Sequence, residues 1–184
     1  LDKVGEKTDK IDLFNNKLEH NLETKMIAKG GRKEGLSFLH SFLNIRGENY
    51  TKQMSSPLTA VDSCSLLSSH LAYGTVSIRE TFQSAQSRKR EIQSFEKLDR
   101  GNWPSALNSF LGRLRWHCHF IQKLEDEPRI EFENMHPVYD NLRSEKFNED
   151  YFLAWKTGNT GYPMIDACMR SLIHTGWLNF RMRA

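Results

Sequence analysis

The sequence predicts an all-α fold, a helical bundle, on three observations. Apolar residues recur at helical spacing in several segments, most clearly over residues 103–124. Helix-start signals stand before three of these segments. No stretch alternates apolar and polar residues over the length of a strand. With 184 residues, of which 38% are hydrophobic and 27% charged, the chain is long enough for one domain with a buried core.

Residues 1–30 are predicted to form a charged N-terminal helix or linker. They are dominated by Lys, Glu, Asp and Asn, and a weak apolar period over residues 11–22 suggests one surface helix. Gly30 and Gly31 then break the pattern. Residues 31–184 are therefore assigned to the main domain.

The main domain opens with a predicted helix over residues 34–43, where leucines recur at helical spacing. A loop is predicted for residues 53–61, which contain a proline. Ser77 and Glu80 then match a capping box, in which the serine oxygen accepts from the Glu80 amide and the Glu80 carboxylate reaches back. The helix that begins there should run to about Phe95.

The next helix is the most informative one. Asn102 is its predicted N-cap, and Pro104 lies in its first turn, where the missing amide hydrogen costs nothing. The helix should end near Leu124, before Pro128. Its predicted core stripe consists of Trp103, Leu107, Phe110, Leu111, Leu114, Cys118 and Ile121.

A second stripe on this helix combines cations with aromatic rings. Arg113, Trp116, His117 and Phe120 stand at i, i+3, i+4 and i+7, so they share a face. Such a face suits a flat, anionic or nucleobase-like ligand, because rings stack on bases and cations pair with phosphates. The alternative is a second packing face with an arginine at its rim, and periodicity alone favours that alternative.

The last predicted helix begins at Tyr162-Pro163. Asp166 lies in its first turn, which is favourable to the helix dipole, and Gly176 follows its end as a C′ residue. Its predicted buried face consists of Met164, Ile165, Cys168, Leu172 and Ile173.

Residues 62–68 have the features of a phosphate site. They read as a helix N-terminus, where free amides and the hydroxyls of Ser65 and Ser68 can hold a phosphate or pyrophosphate. The alternative is ordinary N-capping by Asp62 or Ser63, and the segment by itself favours that alternative.

Charge adds little about partners. The net charge of +3 and the pI near 8.8 are compatible with a nucleic-acid partner but do not indicate one. Arg181 and Arg183, near the end of the sequence, have the planar guanidinium groups that suit phosphate recognition. The alternative for both is a solvated helix face.

Several chemistries are not predicted. The three cysteines lie far apart, and the His117-Cys118-His119 side chains would point about 100° apart on a helix, so neither a disulfide framework nor a metal site is expected. No apolar run approaches the roughly 20 residues of a membrane span, and no signal core is present. A cytoplasmic protein without a membrane partner is expected. No catalytic triad, carboxylate pair or glycine-rich nucleotide motif is found.

Three segments resemble motifs of the photolyase/cryptochrome family. TGYPMIDACMRSLIHTGWLNFRMR, from Thr160 to Arg183, is similar to the family signature. SCSLLSSHLAYGTVSIRE, from Ser63, is similar to its phosphate-binding turn and the helix that follows. WPSALNSFLGRLRWHCHF, from Trp103, is similar to its active-site helix. The resemblance covers about residues 30–184, with the motifs in family order and spacing.

The resemblance implies a cofactor and a set of site residues. The family binds FAD in a folded conformation within a helical domain, and Trp116 would stand at the cavity mouth as the catalytic residue that stacks on flipped-out bases. The residues implied for FAD are Tyr50, Cys64, Ser65, Leu67, Ser68, Arg113, His117, Phe180 and Arg183. Those implied for DNA are Arg113, Trp116, His117, Phe120 and Arg181.

The implied activity is that of a carbon–carbon lyase. Excited reduced FAD gives an electron to a pyrimidine dimer in UV-damaged DNA, the cyclobutane ring opens and the electron returns. An antenna chromophore would lie on a domain that precedes this chain, and further flavin contacts on a segment that follows it. The chain alone is therefore expected to be inactive.

Four positions depart from the family pattern. His117 stands where many members have arginine, and Arg113 stands where repair members often have an acidic residue. Phe180 replaces an asparagine found near the reactive flavin nitrogen, and Phe147 falls where many members have an outer tryptophan. A cryptochrome-type photoreceptor without repair activity is therefore the alternative function, and a DNA-binding or scaffold domain without flavin is the rival from another class.

Overall fold

The computed structural model describes residues 29–142 and 146–183. The helix expected over residues 11–22 lies outside this part of the chain. Within the described residues every regular element is helical and no strand occurs, which confirms the predicted all-α fold. The described residues fall into two compact units, one made of residues 29–149 and 179–183 and the other of residues 150–178.

The elements follow the chain in a simple order. The first helix, α1, changes into a π-helical turn, Phe42–Arg46, before the chain enters two short helices. The helices are α1 (Arg32–Ser41), α2 (Tyr50–Gln53), α3 (Ala60–Ser63), α4 (Ser68–Ala72), α5 (Ile78–Ser94), α6 (Trp103–Asp126), α7 (Glu149–Thr157), α8 (Pro163–Thr175) and α9 (Phe180–Arg183).

The core of the larger unit lies where α1, α5 and α6 pack together. Phe42 is almost fully buried, and its ring centroid lies 4.6 Å from that of Phe110. Arg88 of α5 donates to the Leu43 carbonyl at 3.1 Å and holds its guanidinium 5.4 Å from the centre of the Trp103 ring. The aliphatic part of the Arg88 side chain therefore completes this apolar core.

The π-helical turn at the end of α1 requires a glycine. The Gly47 amide donates to the Phe42 carbonyl at 3.0 Å, the i to i−5 bond that defines the turn. A Cβ atom on Gly47 would collide with that same oxygen, so no other residue fits without moving the backbone. The turn fixes the direction in which Arg46 leaves the helix.

Both predicted N-caps are only partly right. The Ser77 hydroxyl accepts from the Glu80 amide at 3.0 Å, but the Glu80 carboxylate pairs with Arg32 at 2.7 Å instead of reaching back. Asn102 does precede α6, but its side chain does not cap the helix; it donates to the Asn49 side chain at 2.8 Å and accepts from a lysine.

The predicted core stripe of α6 holds for half the helix. Its members from Trp103 to Leu114 are buried, whereas Cys118 and Ile121 are exposed, which corrects the prediction. The reason is that α6 continues to Asp126, beyond the elements that cover its first turns.

In the smaller unit, α8 begins at Pro163 and is followed by Gly176 in the left-handed conformation, as predicted. The Asp166 carboxylate accepts from the Thr160 hydroxyl and amide, both at 2.7 Å, and from the Gly161 amide; these bonds lower the pKa of Asp166. The predicted buried face is wrong except at Cys168, because the other four side chains are only partly covered. Met164, Ile165, Leu172 and Ile173 are 38–53% exposed.

We expect two helix glycines to respond oppositely to alanine. A Cβ at Gly35 would meet the buried Val76 side chain at 2.5 Å and His70 at 3.0 Å, so Gly35→Ala should destabilise the protein by about 1–3 kcal/mol. A Cβ at Gly112, inside α6, meets nothing within 4 Å, so Gly112→Ala should stabilise by about 0.5–1 kcal/mol. Equilibrium urea unfolding measures both, and equal effects would contradict the close packing of α1.

Candidate functional site

The segment expected to be a helix N-terminus is a turn between two helices. Asp62 and Ser63 end α3 instead of capping a following helix, and the Ser63 hydroxyl donates back to the Thr59 carbonyl. Cys64 is extended, Leu66 has a positive φ of 59°, and α4 begins only at Ser68. The predicted helix N-terminus is therefore wrong, because residues 64–67 form a turn between two helices.

This Cys64–Ser68 turn has the backbone pattern of an anion site. Leu66 with positive φ is followed by Leu67 in the right-handed region, and such alternation turns successive amides into one concavity. The amides of Ser65, Leu66 and Leu67 have no acceptor in the described part of the chain, nor do the hydroxyls of Ser65 and Ser68 have a partner there. Leu67 is 1% exposed, and its side chain anchors the turn in the hydrophobic core.

Arg46 supports the turn from its carbonyl side, and sequence reasoning missed it. One of its terminal nitrogens donates to the Cys64 carbonyl and the other to the Ser65 carbonyl at 2.9 Å. Burial lowers the pKa of Arg46, although a guanidinium stays protonated at any ordinary pH. A lone arginine ahead of a glycine gives no periodic signal, so only the three-dimensional structure reveals this role.

Four of the residues predicted for the flavin lie close together. Burial raises the pKa of Tyr50 to about 12, the Cys64 thiol adds to the rise, and Arg113 opposes it. The Arg113 guanidinium also lies 5.6 Å from the centre of the Phe180 ring. Tyr50, Cys64, Arg113 and Phe180 therefore form one polar and aromatic cluster beside the turn.

The second stripe of α6 is an open face rather than a packed one. Trp116 is 55% exposed and Phe120 63% exposed, with their ring centroids 6.0 Å apart. His119, which was not predicted, joins them at 6.3 Å from Trp116. His117 is only partly exposed, and its Nδ1 is buried without a hydrogen-bond partner among the described atoms.

The last described residues bring a buried asparagine to the site. Asn179 is 2% exposed, and its side-chain oxygen accepts from the Met182 amide at 2.9 Å, which caps α9. Arg181 and Arg183 are exposed, and neither has an ion-pair partner within the described ranges. Sequence reasoning missed Asn179, although its place directly before the helix was a usable cap signal.

Neither a metal-ligand cluster nor a membrane-spanning helix occurs among the described residues. No group of three or more His, Cys, Asp or Glu side chains is placed to hold a metal ion. None of the helices in this part of the chain is long and apolar enough to cross a membrane.

Comparison with known proteins gives consistent matches. A family model described as the FAD binding domain of DNA photolyase matches residues 110–184. The chain is 34% identical to the deoxyribodipyrimidine photo-lyase of Streptomyces griseus, over 85% of this chain and 30% of that protein. It is 32% identical to cryptochrome-1 of Arabidopsis thaliana, over 83% of this chain and 22% of the plant protein. The chain thus spans less than a third of the length of these two relatives.

A solved structure matches as well. The bacterial class III photolyase from Agrobacterium tumefaciens superposes with a TM-score of 0.70 at 26% identity, over 93% of this chain and 34% of that protein. The fold described above is therefore that of part of a larger known structure, and the similar proteins include both photolyases and cryptochromes.

We expect Cys64 to be alkylated slowly at neutral pH, because only the thiolate reacts and the thiol has a high pKa. Burial raises the pKa of Cys64 to about 11, so its alkylation rate should rise about tenfold per pH unit from pH 7 to 10. Iodoacetamide labelling read by peptide mass spectrometry measures this, with the exposed Cys118 as the reference for reagent access. A plateau for Cys64 near pH 9 would contradict the buried setting of the turn.

Proposed function

The chain belongs to the photolyase/cryptochrome family, and from that premise we propose that it forms part of a blue-light flavoprotein that repairs pyrimidine dimers in DNA. Residues 31–184 would be the N-terminal part of the FAD-binding domain. The match of residues 110–184 to the FAD-binding domain model supports this assignment. Because the chain spans only 22–34% of the relatives compared, the activity is proposed for the complete gene product and not for the chain alone.

The residues present fit FAD. The Cys64–Ser68 turn would hold the pyrophosphate, because its acceptor-free amides and two free hydroxyls are the donors that phosphate oxygens need. Tyr50, Arg113 and Phe180 would line the pocket beside it, and Arg183 is an exposed cation with no protein partner among the described residues. His117 would direct its unpartnered buried nitrogen to the same pocket.

The open face of α6 would receive the lesion. When bound, reduced FAD supplies upon excitation by light the electron that opens the cyclobutane ring. The task of Trp116, as the proposed catalytic residue, is to stack on the damaged bases once they leave the duplex, with Phe120 beside it. Arg113, His117 and Arg181 would contact the DNA around them.

One observation carries the proposal. A single compact unit holds both a turn whose amides have no acceptor among the described residues and an exposed aromatic face on α6. A scaffold or DNA-binding domain without a cofactor needs no such turn. An antenna chromophore on a preceding domain and a cytoplasmic location complete the proposal.

A photoreceptor without repair activity is the second candidate. Arg113 and Phe180 are two of the positions where the chain departs from the pattern of repair members, and their side chains contact each other. Arg113, whose guanidinium lies over the Phe180 ring, stands where repair members often present an acidic group to the lesion. This pair favours altered lesion chemistry while leaving flavin binding intact.

The deciding experiment uses the complete gene product. We expect it to bind FAD, seen in its absorption spectrum, and to remove cyclobutane dimers from an oligonucleotide under blue light with a reductant. Bound FAD without repair would move the function to photoreception. A complete product that takes up no FAD would leave the DNA-binding or scaffold interpretation.

Trp116→Ala should weaken binding to a dimer-containing oligonucleotide about tenfold, because one base-stacking contact is worth about 1–3 kcal/mol. The FAD content should not change, since Trp116 lies on the open face and not in the turn. Fluorescence anisotropy in the dark measures the affinity. Phe132→Ala is the matched control, an exposed aromatic outside this face, and an equal loss in both variants would contradict the role of Trp116.

A further inference from the structure

Arg46 makes more hydrogen bonds to the protein than a surface arginine needs. Besides the carbonyls of Cys64 and Ser65, it donates to the Phe38 carbonyl at 3.3 Å and from Nε to the Ser41 hydroxyl at 3.1 Å. Its guanidinium is therefore connected to α1 on one side and to the Cys64–Ser68 turn on the other. Four of its five N–H donors are used in this way, so the side chain mainly holds the protein and not a ligand.

The bonds to the two carbonyls decide where the amides of the turn point. In a trans peptide the C=O of one residue and the N–H of the next lie in one plane and point in opposite directions. When Arg46 draws the Cys64 and Ser65 carbonyls toward itself, the amides of Ser65 and Leu66 must face away from it. These are two of the three amides without an acceptor in the described chain.

The position of Arg46 is itself fixed by packing. It ends the π-helical turn that requires Gly47, and its guanidinium lies 5.8 Å and 5.9 Å from the ring centres of Phe38 and Phe42. A half-buried cation that lies near two rings and donates to four protein acceptors has little freedom to move. The direction of the amides is therefore set before any ligand arrives, which is the condition for tight anion binding without reorganisation.

We propose that Arg46 is the positioning residue of the pyrophosphate site: it holds the carbonyls of the turn so that the backbone amides on the opposite side bind the anion. This inference rests on the proposed function, in which the Cys64–Ser68 turn binds the FAD pyrophosphate. Arg46 acts through the turn and does not touch the cofactor.

The test measures FAD affinity and unfolding midpoint in the complete gene product for Arg46→Gln and Arg46→Lys. Arg88→Gln and Arg88→Lys are the matched controls, because Arg88 is also largely buried and also donates to a backbone carbonyl, but away from the turn. We expect Arg46→Gln to raise the FAD dissociation constant about 10- to 100-fold, and Arg46→Lys less, because lysine keeps the charge without the planar fork. Arg88→Gln should raise the FAD dissociation constant less than about threefold, although it should lower the unfolding midpoint by a similar amount.

Phosphorus-31 NMR of bound FAD supplies a readout that loss of stability alone does not change. The two pyrophosphate resonances should shift in Arg46→Lys and stay in place in Arg88→Lys. This comparison of the two lysine variants still tests the inference if Arg46→Gln fails to fold. Unchanged resonances, or equal losses of FAD affinity at positions 46 and 88, would overturn the inference. Wild-type protein that binds no FAD would instead refute the proposed function.

Discussion

The larger unit depends on one side chain, Phe42, where the core and the candidate site meet. Its ring packs against Phe110 and meets Tyr50 edge-on at 5.4 Å between centroids. Its carbonyl closes the π-helical turn, and the guanidinium of Arg46 lies 5.9 Å from its ring centre. Because protein interiors are close-packed, the core cannot shift without moving both the tyrosine and the arginine of the site.

The conformation of the Cys64–Ser68 turn lowers the free energy of unfolding to which this core contributes. A leucine held at positive φ costs about 1–3 kcal/mol, and donors without acceptors forgo hydrogen bonds worth about 1 kcal/mol each when water does not replace them. The buried Leu67 side chain and the bonds from Arg46 hold the turn in this conformation. An anion that accepted from these amides would offset the cost, so the strain itself points to a ligand.

Sequence reasoning succeeded where a few neighbouring residues decide the structure. The Ser77 cap on the Glu80 amide follows from the geometry of a single helical turn, as does a glycine after the end of a helix. It failed where the partner is distant along the chain. The Glu80 carboxylate pairs with Arg32, 48 positions away, and the Asn102 side chain bonds to Asn49, 53 positions away. No local pattern contains such partners.

The same division holds within the site. Trp116 and Phe120 could be placed on one face because both belong to one helix, whereas Arg46 acts on carbonyls that only the fold brings to it. Adjacent exposed rings such as these form an apolar patch, which is the kind of surface that binds a ligand or partner. Arg113 and Phe180 contact each other across two elements, so they act as one change and not as two independent departures. Any difference in function from the repair members should therefore be sought in this pair together, and not in either residue alone.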